Sequence, residues 1–235
     1  MAGSKKHIKY EDGTEFLSYH ENHGYYFPFI DYRMDKMSKD GPFDVWLKGK
    51  YTDGDITVKE TDTVIDCGSF VGAFSMASAI MGAEKVYAIE PSSRNFHCLN
   101  KNIAHFGAES VITPINIGLG DEDTTLKLNL SHLSCEDSFM ACDQDATGTC
   151  EEVQVLRLDT YIEQAGIDVS NLYLKVEAEG LEPEIIRGLG ELKPRVIVVD
   201  VTPERNGASP RNLIKEILKD KGYSFKDTKR CLFAY

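Results

Sequence analysis

Two carboxylates, Asp66 and Glu90, lie 24 residues apart, and each closes a short apolar run, Val64-Ile65 and Val86-Tyr87-Ala88-Ile89. Gly68 and Gly72 fall where a chain leaving the first run would turn into a helix. This combination can hold a nucleoside. Glycines without a Cβ let backbone approach a ligand closely, and an acid at the second tip accepts hydrogen bonds from ribose hydroxyls. A third group follows the apolar run Leu172-Tyr173-Leu174: Lys175, Glu177 and Glu179. Carboxylates there could take a proton from a substrate hydroxyl or bind it, with Lys175 neutralising them or orienting the substrate. The alternative is architectural, with Glu179 capping the next helix and Lys175 paired to it.

These residues need elements to carry them. Val64-Ile65 reads as a buried central strand of a parallel sheet. Residues 73–82 form the first crossover helix, closed by Gly82, and Lys85-Val86-Tyr87-Ala88-Ile89 the second strand. Pro91 and Ser92 open a helix that runs to Phe106, with Gly107 beyond it and Phe96, Leu99 and Ile103 on its core face. Further strands are expected at 111–117, 124–130, 153–158, 172–176 and 195–201, helices at 183–190 and 210–221, and a terminal hairpin from Tyr223-Ser224-Phe225 and Cys231 to Tyr235. Strands alternating with helices make an α/β fold around a parallel sheet. Such sheets bind ligands at the carboxyl ends of their strands, so Asp66, Glu90 and Glu177 should share one edge.

A dinucleotide fingerprint requires G-x-G-x-x-G. Here Phe70 takes the middle position, Ala73 follows Gly72, and Asp66 sets negative charge near a pyrophosphate. A ligand with a cationic end suits the turn better, and S-adenosylmethionine carries an ammonium and a sulfonium. Val64 to Ser75 resembles motif I of class I methyltransferases, in the form of the FkbM family. Ala88-Ile89-Glu90-Pro91 through Asn95-Phe96 is similar to that family's A-x-E-P-x-x-x-N-F stretch, and Leu174 to Glu182 to its K-I-D-V-E-G-A-E block. The resemblance spans about residues 60 to 200. Phe70 stands where the family often has Asn, and Glu177 where it usually has Asp.

The resemblance implies a Rossmann-like class I methyltransferase fold: a mostly parallel seven-stranded sheet, an antiparallel C-terminal hairpin, and helices on both faces. It implies S-adenosyl-L-methionine as cofactor, contacted by Asp66, Gly68, Ser69, Phe70, Gly72, Glu90, Pro91, Ser92 and Asn95. Asn116, Ile117 and Gly118 are the implied adenine wall, and Tyr51 an implied contact at the methionine end. Glu177, Glu179, Lys175 and His132 are the catalytic candidates, and no metal is expected. The implied reaction is O-methylation of a sugar or other hydroxylated small molecule. Rival readings are N- or carboxyl-methylation on the same fold, or a non-catalytic or NAD-type nucleotide-binding protein.

Composition bounds the rest. The 235 residues suffice for one α/β domain, and a net charge of −12 disfavours nucleic acid as partner. No apolar run reaches membrane-spanning length, and Met1-Ala2-Gly3-Ser4-Lys5-Lys6 lacks a secretory apolar segment, so a soluble cytoplasmic protein is expected, with homo-oligomerisation left open. Residues 1–55 are taken as a loose lead-in (1–24) plus an aromatic cap or lid carrying Tyr25, Tyr26, Phe27, Phe29, Tyr32, Phe43 and Trp46; residues 56–235 form the cofactor-binding domain. Residues 131–151 show no period and read as a long loop that could wall the substrate. Cys67, Cys98, Cys135, Cys142, Cys150 and Cys231 lack zinc-ligand spacing and read as free thiols.

Overall fold

The structure, a computed structural model, describes residues 6–20, 23–28, 50–132, 134–140, 146–205 and 207–235. Strands β1 (Lys6–Lys9), β2 (Thr14–His20) and β3 (His23–Pro28) form an antiparallel meander. Then follow β4 (Thr63–Cys67), helix α1 (Ala73–Ile80), β5 (Lys85–Ile89), α2 (Ser93–Phe106), β6 (Ile112–Ile115), β7 (Gly118–Gly120), β8 (Thr124–Ser131) and β9 (Ala146–Arg157). The chain closes with α3 (Leu158–Ala165), β10 (Leu172–Val176), α4 (Glu182–Arg187), β11 (Val196–Asp200), α5 (Arg211–Leu218), β12 (Phe225–Asp227) and β13 (Cys231–Ala234).

Seven strands make the central sheet in the order β12-β13-β11-β10-β4-β5-β6. All its pairings are parallel except those of β13, which runs antiparallel to β11 and β12. The sheet is therefore the mostly parallel α/β sheet expected. Alternation along the strands sorts its two faces. Val64, Val86, Tyr173, Val198 and Phe233 meet α1 and α2 through Phe74, Leu99 and Ile103. Ile65, Leu174, Ile197 and Leu232 meet α3, α4 and α5 through Ile162, Ile185, Ile186, Ile214 and Leu218. Ile65, Leu174 and Ile197 are fully buried, each worth about 2 kcal/mol of transfer free energy.

Two expectations need correction. Residues 6–20, 23 and 24, within the expected loose lead-in of 1–24, belong instead to the β1–β3 meander, and Phe16 and Tyr26 of that meander pack on α2. Phe16, Tyr26 and His105 pack ring to ring, and Asn102 on α2 accepts from the Tyr26 amide at 2.6 Å while donating to the Tyr26 carbonyl at 3.0 Å and to Val71 at 2.9 Å. Phe29, Tyr32, Phe43 and Trp46 lie outside the described residues. Second, the stretch 131–151 is not all loop. β9 starts at Ala146 and pairs antiparallel with β8 as far as Ser131, and β7 joins β9 in parallel. Gly148, Thr149 and Cys150 are exposed, so this arm of β9 has no apolar alternation to announce it. Cys142 also lies outside the described residues; the other five cysteines are free thiols. No helix among the described residues is long and apolar enough to cross a membrane.

Candidate active site

Strand order reverses at β4, which is flanked by β5 on one side and β10 on the other. Ligands settle in the crevice at such a switch point, and there a cavity of about 680 Å³ opens at the carboxyl ends of the strands. Of the residues expected to bind the cofactor, Gly68, Phe70, Glu90, Pro91, Asn95, Ile117 and Gly118 line it, as do Glu177 and Glu179.

The glycine turn is fixed by close packing. Gly68 has φ +73°, and a Cβ on it would sit 1.7 Å from the Glu177 carbonyl oxygen. Its amide and that of Ser69 donate to the Ile89 carbonyl, both at 3.0 Å. Gly72 (φ +93°) opens α1 beneath the Leu99 side chain. Phe70 is left-handed at φ +52°, a conformation that costs a bulky residue strain but suits Asn. This gives the Asn of related motifs a backbone reason.

Glu90 is buried at the tip of β5. It accepts from the Phe70 amide at 2.8 Å, the Ser92 amide at 3.0 Å and Asn95 Nδ2 at 3.3 Å. Burial pushes its carboxyl up to about 7 despite these donors. Asn95 spends its other amide hydrogen on the Ser134 carbonyl at 2.8 Å. Its Oδ1 and the Ser134 hydroxyl are then buried in the cavity wall with no partner among the described residues. Asn116 is exposed and stays outside the cavity, donating to the Glu90 and Pro91 carbonyls at 2.8 and 3.0 Å.

Asp66 and Lys175 do not reach the cavity. They are register partners on β4 and β10, so their side chains leave the same face of the sheet. Lys175 Nζ lies 3.0 Å from Asp66 Oδ1 and donates to the Gly68 carbonyl at 2.7 Å. Ser75 holds the other Asp66 oxygen at 2.7 Å. Glu177 extends the cluster: Lys50 and Tyr51 both donate to it, and Lys175 stands 3.6 Å away. Lys50 also reaches Asp200 at 2.8 Å. Burial opposes the Glu177 charge, but the Lys175 and Lys50 ammoniums and the Tyr51 hydroxyl hold its carboxyl down to about 2. Burial likewise disfavours the Lys175 ammonium, and Asp66 and Glu177 more than offset that. Tyr51 is buried against Phe74 and spends its hydroxyl on Glu177.

Glu179 differs in kind. It projects from a left-handed turn (φ +47°) into the cavity. Burial, then the negative charges of Glu204, Glu177, Glu182 and Glu136, push its carboxyl up to about 9. It neither caps the next helix nor pairs with Lys175. Glu182 ties that turn, accepting from the Ala178 and Gly180 amides at 2.7 and 3.2 Å. His132 is exposed and outside the cavity wall, so a base role at this site has no support from its position. Ser92 faces away too, donating to Asp137 at 2.7 Å.

Residues 134–140, inside the stretch read from sequence as a loop that could wall the substrate, line the cavity. Sequence reasoning missed a second wall, Thr202, Pro203 and Glu204 beyond β11. It carries no period or motif; position after a strand tip was the one available signal for it. Across all its lining the cavity presents six acidic side chains (Glu90, Glu136, Asp137, Glu177, Glu179 and Glu204) and, among the described residues, no lysine, arginine or histidine. It suits a ligand with positive charge.

Comparison with known proteins agrees with this geometry. The pattern of the Methyltransferase FkbM domain matches residues 66–225. The methyltransferase FkbM structure from Methylobacillus flagellatus KT is similar with a TM-score of 0.57 at 19% identity, over 81% of this chain and 48% of that one. The present chain thus spans about half the length of that relative. M. jannaschii TYW2, solved in complex with AdoMet, is similar with a TM-score of 0.50 at 12% identity, over 97% of this chain and 87% of that one. At these identities the structural likeness speaks for the fold. No curated protein matches the chain. The family match covers more than half of the sequence, and the chain belongs to the FkbM methyltransferase family.

Proposed function

We propose that the chain transfers a methyl group from S-adenosylmethionine to a hydroxyl of a small, uncharged or cationic acceptor, a sugar being the reading carried from sequence. The single observation behind the acceptor class is the acid-lined cavity free of basic side chains among the described residues. A phosphorylated or carboxylated acceptor would find no lysine, arginine or histidine among the described lining residues to balance its charge.

The residues present fit the cofactor. Asn95 Oδ1 and Ser134 Oγ are buried polar atoms without partners among the described residues, costly unless a ligand supplies them. Glu90 stands at the tip where ribose hydroxyls would donate to it. Bound there, S-adenosylmethionine supplies an electrophilic methyl on a sulfonium. The chain's own part is largely alignment of acceptor and methyl in line.

Glu177, held as a permanent anion, is a weak base at neutral pH. In this reading it fixes Lys50, Tyr51 and Lys175 at the strand tips. Burial and its acidic neighbours keep Glu179 protonated at neutral pH in the empty site; the positive charge of a bound sulfonium would lower its carboxyl toward neutrality and make it the better general base. Its role is to take the acceptor proton as the new bond forms. Residues 56–235 form the catalytic unit in this reading, residues 1–55 an N-terminal addition, and the setting is cytoplasmic.

The test uses methyl-labelled S-adenosylmethionine and a panel of sugars, polyols and amines with matched phosphorylated forms. Label should enter neutral or cationic acceptors, and Glu179→Gln should lose turnover by about 100-fold while still binding S-adenosylhomocysteine. Transfer only to anionic acceptors, or full activity in Glu179→Gln, contradicts the assignment. Exclusive transfer to amines would favour N-methylation, which the same acidic wall accommodates.

A further inference from the structure

Residues 134–140 touch both ends of the cavity. At the nucleoside end, Arg94 from the first turn of α2 grips both oxygens of Asp137, through Nε at 3.0 Å and through Nη2, and Nη2 also donates to the Ser131 carbonyl. Ser92 Oγ and the Ser131 amide donate to the same carboxylate at 2.7 and 2.8 Å. Asp137 is nearly fully buried by this clasp, its side chain 3% exposed. The segment is pinned beside Glu90, because Asn95 binds both Glu90 and the Ser134 carbonyl. At the opposite end, Ser138 Oγ donates to the Glu179 carbonyl at 2.7 Å. Met140 closes over Gly180, with its Cγ 3.1 Å from where a Cβ would stand. The left-handed turn of Glu179 is therefore braced by residues one to three positions from the Arg94 clasp.

We propose that residues 134–140 form a strap that ties occupancy of the nucleoside end to the placement of Glu179, with Asp137 and Ser138 as positioning residues. The inference rests on the reading that this cavity takes S-adenosylmethionine. A bidentate guanidinium–carboxylate pair is directional as well as strong. Asp137 accepts donors from α2 and from the end of β8, and so fixes the strap in two directions. A ligand that satisfies Asn95 Oδ1 and the Ser134 hydroxyl loads the strap at one end, and Ser138 transmits that restraint to the backbone that aims Glu179. The groups facing Glu179 are Glu136 from the strap, Glu177 just after β10, Glu182 at the start of α4, and Glu204 beyond β11. Each would feel a change in its position.

The strap is tested on the full chain by titration calorimetry with S-adenosylmethionine and S-adenosylhomocysteine, which differ in the sulfonium charge. Asp137→Asn should weaken S-adenosylhomocysteine about tenfold or more, with a faster off-rate. Arg94→Lys, which keeps the charge but loses the fork, should fall between it and wild type. Ser138→Ala should change the preference for S-adenosylmethionine over S-adenosylhomocysteine by about threefold or more. In a Glu179→Gln background that change should vanish, an outcome that simple loss of stability would not give. Unaltered affinity in both clasp variants, or an unaltered preference in Ser138→Ala, overturns the strap while leaving the cofactor reading intact. A wild-type protein that binds neither ligand overturns the parent reading and the strap with it.

Discussion

Replacing Glu177 by Gln isolates the electrostatic knot at the strand tips. Gln is the isostere of the protonated acid. Its cost at neutral pH therefore approximates the free energy of protonating Glu177 in the fold relative to the unfolded chain. The carboxyl is held at about 2, against 4.5 ordinarily, which corresponds to about 3 kcal/mol at pH 7. Because the folded value lies below the unfolded one, this stabilisation is complete above pH 4.5 and is lost as pH falls toward 2. The gap between wild type and Glu177→Gln should be about 3 kcal/mol at pH 7 and about 1 kcal/mol at pH 3. Urea unfolding followed by circular dichroism across that range reads it directly, provided both proteins unfold in two states. At this chain length the neutral-pH gap corresponds to a fall in Tm of about 6–12 °C. A difference that stays constant from pH 7 to pH 3 would refute the argument, because loss of packing or hydrogen bonding alone carries no such titration.

Cofactor affinity should rise as pH increases through about 7, because burial holds Glu90 partly protonated in the empty site and ribose hydroxyls need its ionised form; calorimetry from pH 6 to 8.5 checks the sign. Gly68→Ala should abolish cofactor binding and destabilise the fold by about 4 kcal/mol or more, since its Cβ would stand 1.7 Å from the Glu177 carbonyl at a positive φ; thermal unfolding and S-adenosylhomocysteine titration measure both effects.

What the sequence discloses follows from which interactions are local. β4, β5, β10 and β11 are legible as apolar runs because both their faces are buried. The glycine turn and the carboxylates at the strand tips mark the site's edge for the same reason. What a tip side chain does there is set by distant partners. Asp66 and Glu177 have the same residue chemistry as Glu90 and Glu179, yet Lys175, Lys50 and Tyr51 draw the first two into a buried knot, and Lys50 is 127 residues from Glu177. Residues 134–140 have no period at all, since they are held by Arg94 and Asn95 on α2 and by Glu179 after β10, two distant parts of the chain. The outer arm of β9 escaped notice because its exposed Gly148, Thr149 and Cys150 bury nothing, and the pairing with β8 alone makes it a strand.

Calorimetric titration of wild type and Glu90→Ala with S-adenosylmethionine, S-adenosylhomocysteine and NAD tests the central claim most directly. The account predicts binding of both sulfur nucleosides at about micromolar affinity, its loss in Glu90→Ala, and no binding of NAD. Binding of NAD, or of none of the three, would contradict it.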